Sequence, residues 1–233
     1  MSRRRPGAVK PLVGLDLQQL DHEASAALVD FPALRVVQSD RFPLIIEGQI
    51  ELAGSLGPFD NFAVRIEFPQ GYPFAQPWLF ETGGRIPHEI DRHVFSDGHA
   101  CLEVWEAWLA RTKDWSVRAA LNGPVRNFLL SQSQFERTET WPFGEHAHGA
   151  EGQLNAIKVI VDPEAPDATR VPWLIQALHL WPAGHNSCLC GSGRRFRDCH
   201  RPELEDVKAK FHPIVLGRLF DVVERIRAMS GSG

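Results

Sequence analysis

The four cysteines of this 233-residue chain divide three to one. Cys188, Cys190 and Cys199 crowd beside His200, and Cys101 stands alone far upstream. A thiol with no sulfur partner, in a chain without a secretory signature, is a candidate nucleophile. The plainer reading is a buried cysteine acting as a small hydrophobe. The other three read as metal ligands. Cys-x-Cys, eight residues, then Cys-His gives four soft or borderline donors that can close tetrahedrally on Zn²⁺. Gly191 and Gly193 let the backbone turn tightly enough to bring both pairs together. Four protein ligands leave no open position, so the expected Zn²⁺ is structural and not catalytic. A phosphate-loop reading of Gly191-Ser192-Gly193 fails, because no Gly-Lys-Ser/Thr is present.

The surroundings of Cys101 add to the case for a nucleophile. Tyr72-Pro73-Phe74-Ala75-Gln76-Pro77 reads as a proline-punctuated extended segment. The apolar run Trp78-Leu79-Phe80 and a Gly83-Gly84 turn follow. Asp97-Gly98 is a second turn pair, and Asp97 is assigned to turn geometry. Cys101-Leu102 comes next, and Trp115-Ser116 opens a helical pattern. This order resembles the ubiquitin-conjugating enzymes over roughly residues 15–135. Members of that family carry a Tyr-Pro-Phe…Pro strand, a His-Pro-Asn loop, Gly-x-x-Cys-Leu, and Trp-Ser ahead of a helix. Here the pieces are Tyr72-Pro73-Phe74, Gly98-His99-Ala100-Cys101-Leu102 and Trp115-Ser116. The family's loop asparagine lies eight residues before the cysteine, where this chain has His93, and no His-Pro-Asn occurs. Ile86-Pro87-His88-Glu89 is not that motif either. The long stretch from Cys101 to Trp115 and the later Trp141-Pro142-Phe143-Gly144-Glu145-His146-Ala147-His148-Gly149 look like a divergent bacterial branch. Enzymes of that branch sit in antiphage operons, notably those built around a cyclic-oligonucleotide synthase (CBASS). The cysteine-rich tail matches the SEC-C motif, a small zinc module also found on bacterial secretion ATPases.

The resemblance implies an acyl carrier. Cys101 would accept the C-terminal glycine of a partner protein as a thioester and pass it on. The donor would be a cyclic-oligonucleotide synthase or a ubiquitin-like protein. A moderately low thiol pKa would help, since the thiolate attacks. The attacked carbonyl needs a hydrogen-bond donor for its oxyanion. His93, at the asparagine position, could supply it through an imidazole N–H, and His99 could tune the thiol. Two rivals stand beside this reading. One is a non-catalytic binding module of the same fold. The other is a cysteine hydrolase using His93 or His99, which would want its base held by a third group; the spacing gives no sign of one.

A hydrophobic fraction of 43% against 23% charged residues is that of a globular protein and excludes global disorder. A net charge of −4 carries no nucleic-acid signature, so no nucleic acid is expected as partner. The basic patch of Arg194, Arg195, Arg197 and Arg201 reads as a solvated face. No apolar run approaches the ~18 residues of a membrane helix, and no membrane partner is expected. Basic Ser2-Arg3-Arg4-Arg5-Pro6 has no hydrophobic segment behind it and is not a secretory signal. A free thiol with a thiolate metal site points to the reducing cytoplasm.

Hydrophobic periodicity supplies the elements that must position these groups. Leu17, Leu20, Ala24, Ala27 and Leu28 predict a helix over 16–29, capped by Asp16 and ended by Pro32. Strands are predicted over 34–38, 44–52, 62–68 and 78–81, with a hairpin break at 54–58. Four strands ahead of the reactive loop predict an α+β fold, an antiparallel four-stranded meander with flanking helices. The resemblance makes this ubiquitin-conjugating-enzyme-like, with a small C-terminal zinc-binding module added. Trp105, Trp108 and Trp115 read as core packing. Ser116 should cap a helix kinked at Gly123-Pro124. The expected organisation is a flexible arm (1–13), a catalytic domain (14–150), linking helices (151–183), and the zinc module with its C-terminal helix (184–233). That last helix spans about 203–229, bent by Pro213. His146 and His148 read as loop residues without a third metal ligand nearby.

Overall fold

A computed structural model describes residues 14–142, 149–164 and 168–230. The arm, His146 and His148 therefore lie outside the described residues. The architecture is α+β. Helix α1 (Leu17–Ala27) opens with a capping box: Gln19 N–H donates to Asp16 Oδ1 at 2.8 Å, and Asp16 N–H donates to Gln19 Oε1 at 3.0 Å. Its buried stripe is Leu20, Ala24 and Ala27, and a 3₁₀ turn over Leu28–Asp30 ends it before Pro32.

Four strands follow in chain order: β1 (Leu34–Gln38), β2 (Leu44–Gly54), β3 (Gly57–Phe68) and β4 (Trp78–Glu81). They pair antiparallel in the order β1-β2-β3-β4, the predicted meander. The predicted break shrinks to a tight hairpin in which Gly54 pairs with Gly57, so β2 and β3 run longer than their apolar alternation. Phe62, Val64, Ile66 and Phe68 face the core, and Ile66 is paired between Ile46 and Leu79. Burying each such side chain contributes about 1.5–3 kcal/mol. On the opposite face Arg65 bridges Glu67 (2.8 Å) and Glu47 (3.2 Å). Period-two alternation thus leaves one sheet face apolar, against α1 and α4, and one polar.

Tyr72-Pro73-Phe74 departs from expectation. It forms a turn rather than an extended run, because Phe74 and Ala75 N–H both donate to Gly71 O. The turn brings together pieces far apart in sequence. Tyr72 Oη donates to the carbonyls of Trp115 and Ser116, both at 2.9 Å, and Trp105 Nε1 donates to Pro73 O at 2.7 Å.

Beyond Cys101 comes α2 (Trp105–Arg111), a helix the sequence reading did not foresee, with Trp105 and Trp108 buried. Ser116 caps α3 (Val117–Ala120) by accepting from Ala119 N–H. The expected disturbance at Pro124 is a π turn over Leu121–Val125, which accommodates a residue with no N–H before α4 (Arg126–Thr138) begins. Helices α5 (Gly149–Val161) and α6 (Val171–Leu180) follow, α5 starting earlier than the 151–183 stretch read as linking helices. The single bent final helix is replaced by two, α7 (Arg201–Lys210) and α8 (Pro213–Ser230). Pro213 begins a helix here, at the position where a missing N–H is harmless. Helix α8 packs on α6 and on α2, where Arg218 Nη2 meets Glu106 Oε1 at 3.4 Å. Among the described residues, no helix is long and apolar enough to cross a membrane.

A polar hub pins α4 to the sheet. Asp60 accepts from Arg85 Nη1 (2.6 Å) and Nη2 (2.9 Å), from Asn61 N–H (2.9 Å) and from Ser133 Oγ. The Arg85 guanidinium holds the Asp60 carboxyl well below the usual carboxylate range. A depressed folded pKa stabilises the fold above the unfolded value, about 3.9, and that contribution is lost as pH falls below it. Asp60→Asn is expected to cost about 2 kcal/mol at neutral pH. The gap to wild type should narrow as thermal unfolding is followed from pH 5 down to about 2.

Candidate functional site

Cys101 sits at the end of a loop held against β4. Val94 bridges Ala100, Phe80 bridges His99, and Ala100 N–H donates to Leu79 O at 2.7 Å. Gly98 makes the turn at φ +92°, and a side chain there would collide with the His88 ring, 2.7 Å away. The backbone angle therefore demands glycine, whereas the exposed His88 ring could swing aside.

The thiol is half-buried, and Sγ lies 3.6 Å from Leu102 O. Burial pushes the Cys101 thiol above its ordinary value, the opposite of the direction that would help the chemistry. Rates of Cys101 alkylation by iodoacetamide should therefore rise about tenfold per pH unit, continuing past the ordinary thiol value of about 8.5. Site-resolved mass spectrometry over pH 6.5–9.5 would check this; a plateau near neutrality would contradict it.

His93 is tied to Cys101 through the backbone: Cys101 N–H donates to His93 O at 2.7 Å. It follows a 3₁₀ turn (Ile90–Arg92) and takes a left-handed conformation, φ 53° and ψ 37°. A non-glycine residue held there is a feature that collects at functional sites. Its ring meets Trp141 edge-on at 5.0 Å.

His99 lies two residues before Cys101 but is engaged elsewhere. Its Nδ1 is 2.6 Å from Asp97 Oδ1, and its ring stacks on Phe95 at 4.3 Å and lies 6.0 Å from half-exposed Trp78. Asp97 thus does more than turn the chain, and a His–Asp pair exists that the spacing had not revealed. The His99 backbone N–H, and then its ring nitrogen, draw the Asp97 carboxyl below its usual value.

Sequence reasoning also missed Gln132. It is fully buried on α4, where Val125, Phe128 and Leu129 set an apolar stripe and a polar side chain breaks it. That break is the signal the sequence carried. Among the described residues, the Gln132 side chain bonds Arg92, the neighbour of His93. Glu103 pairs with Arg111, and burial raises its carboxyl despite that cation.

The second centre gathers Cys188, Cys190, Cys199 and His200, whose ligand atoms all lie within 4.8 Å of one another. Gly191 (φ +79°) and Gly193 (φ +72°) carry the turn, and Cys188 N–H closes it on Arg194 O at 2.8 Å. Sulfurs of Cys190 and Cys199 are 3.7 Å apart, and His200 Nδ1 is 3.2 Å from Cys199 Sγ and 3.4 Å from Cys188 Sγ. A tetrahedron with Zn–S near 2.3 Å and Zn–N near 2.0 Å has edges of roughly 3.5–3.8 Å, so the donor set fits. His200 packs on Trp173 at 4.7 Å, and buried Phe196 packs on Trp181 at 5.4 Å.

Comparison with known proteins bears on both centres. Residues 186–202 match the SEC-C motif, which is of a zinc-binding type. Probable ubiquitin-conjugating enzyme E2 W-A of Danio rerio is 35% identical over 75 residues, covering 31% of this chain and 44% of that protein. The chain thus spans less than half the length of that curated relative. No solved structure matches.

Proposed function

We propose that this chain is a conjugating-enzyme-like cysteine acyltransferase. Cys101 takes the C-terminal glycine carbonyl of a partner protein as a thioester. The carrying observation is the half-buried thiol on a loop braced against β4, its N–H bonded to a left-handed His93. The meander that precedes it and the similarity to an E2 protein support a ubiquitin-conjugating-enzyme-like fold.

In this reading the Cys101 thiolate adds to the donor carbonyl. The C=O electron pair moves to oxygen, and the His93 imidazole N–H supports that oxyanion. The glycine carbonyl arrives as the thioester of an activating enzyme, so the pair returns as that enzyme's thiolate departs with the electrons of the broken C–S bond, and a new C–S bond to Cys101 remains. No strong base is required because the incoming carbonyl is already activated; the burial that raises the thiol limits the thiolate fraction, so the rate should climb with pH. The donor is a cyclic-oligonucleotide synthase of a CBASS-type antiphage system, or a ubiquitin-like protein. The setting is the bacterial cytoplasm, where both sulfur centres stay reduced. Cys188, Cys190, Cys199 and His200 hold a structural Zn²⁺ that pins their turn beside α6 and α7.

One observation favours a second reading. Asp97 holds His99 as an orienting carboxylate holds a base, which fits a cysteine hydrolase. Co-purification with each candidate donor separates the two. An acyl carrier gives a band on a non-reducing gel at the summed mass, and thiol collapses it. A hydrolase turns over many donor equivalents and leaves no such band.

A further inference from the structure

Arg92 and His93 are fastened to α4 from two sides. Gln132 Oε1 accepts from Arg92 Nε (3.1 Å) and Nη2 (2.8 Å), and Gln132 Nε2 donates to Arg92 O (2.7 Å). All three bonds of a fully buried amide fall on one residue. An apolar side chain would continue the stripe of Val125, Phe128 and Leu129 without the penalty of burying an amide. The second fastening is aromatic. Phe135 carries the Arg92 guanidinium over its ring at 4.9 Å and stacks on Trp141 at 4.3 Å, and Trp141 meets the His93 ring at 5.0 Å. Backbone bonds then run from His93 O to Cys101 N–H. The two contacts grip the backbone before His93 and the ring of His93 itself. A left-handed non-glycine residue persists where its surroundings impose the conformation, and these are such surroundings.

We propose that Gln132 and Trp141 are positioning residues that set His93 for oxyanion support at Cys101. The inference rests on the acyl-carrier reading of Cys101. It requires that their loss slow carbonyl chemistry at the thiol while leaving the thiol itself as reactive as before.

The test uses the full chain and the 2-mercaptoethanesulfonate thioester of acetyl-Gly-Gly. Cys101 Sγ adds to the thioester carbonyl, an oxyanion forms, and 2-mercaptoethanesulfonate leaves as its thiolate with the electron pair of the broken C–S bond. The proton given up by Cys101 passes through water, and one thioester replaces another. Iodoacetamide is the control: it forms an S–C bond with loss of iodide and no oxyanion. Gln132→Met should slow the saturated acylation rate about tenfold or more, with half-saturation and alkylation rate changed less than about twofold. Gln132→Glu, which keeps both acceptor bonds to Arg92, should recover part of the rate. Trp141→Leu should behave like Gln132→Met. The double variant Gln132→Met/His93→Ala should be no slower than His93→Ala alone, since one effect acts through the other. Acylation of Gln132→Met at the wild-type rate overturns the proposal. So do alkylation slowed as much as acylation, and multiplying effects in the double variant. Failure of wild-type Cys101 to acylate at all, while it alkylates normally, sinks the acyl-carrier reading itself and removes the basis of the clamp.

Discussion

Cys101→Ala is expected to abolish the thiol-sensitive adduct, and Cys101→Ser to give at most a slow, thiol-resistant ester. The other three cysteines are clustered with His200 in a donor set that fits zinc, and a metal there would leave Cys101 as the sulfur to carry the acyl group. Removing a covalent nucleophile costs at least about a thousandfold in rate. A serine hydroxyl attacks far less readily, because it is much less acidic than a thiol and the side chain here is directed at Leu102 O, a carbonyl that cannot take its proton. The fold should survive, since a half-exposed side chain whose hydrogen bond is a long one to Leu102 O contributes within about 1 kcal/mol. Intact-mass spectrometry with and without thiol reads the adduct, and thermal unfolding reads the fold. Retained adduct in Cys101→Ala would remove the sulfur from the mechanism.

The second large effect is expected at Cys188, Cys190, Cys199 and His200. Structural zinc in small zinc-finger folds contributes about 10–16 kcal/mol of apparent binding energy, more than a few backbone bonds such as Cys188 N–H to Arg194 O and Phe196 N–H to Asn186 O supply. Gly191, Ser192 and Gly193 are exposed, and Phe196 is the buried side chain of the turn segment. Cys199→Ser should lose stoichiometric zinc, and a strong chelator should do the same to wild type. Trp173 lies against His200, so its emission should change as metal leaves. The consequence should reach past the module. Helix α8 meets α2 through Arg218 and Glu106, and His212 meets Trp115 at 5.6 Å. Amide exchange in α2 should therefore quicken when zinc is removed. Unchanged metal content in Cys199→Ser would contradict the ligand assignment.

The sheet was legible because alternation is a direct physical record of a two-faced strand. Phe62, Val64, Ile66 and Phe68 gave β3 its core face without any knowledge of partners. The metal centre was legible for a similar reason, since four donors close in sequence leave few ways to fold. Other features depended on distant contacts. Helix α2 is short, and its tryptophans read as core without revealing their helical frame. The turn at Tyr72 is fixed by Gly71 O and by carbonyls more than forty residues away. Pro213 was read as a bend because nothing local distinguishes a kinked helix from the start of a new one. The direction of the Cys101 shift could not be read from sequence, since it is set by how far the folded chain buries the thiol. Asp97 was assigned to its turn, and the ring contact two residues on became visible only in three dimensions. Gln132 marked itself by interrupting an apolar stripe, but its partner Arg92 lies forty residues upstream.

The most direct measurement is top-down mass spectrometry of the full chain after incubation with its acyl donor. The account expects one added acyl mass per chain, located at Cys101 and removed by hydroxylamine. Donor consumed with no adduct at Cys101, or an adduct found on Cys188, Cys190, Cys199 or a lysine instead, would contradict it.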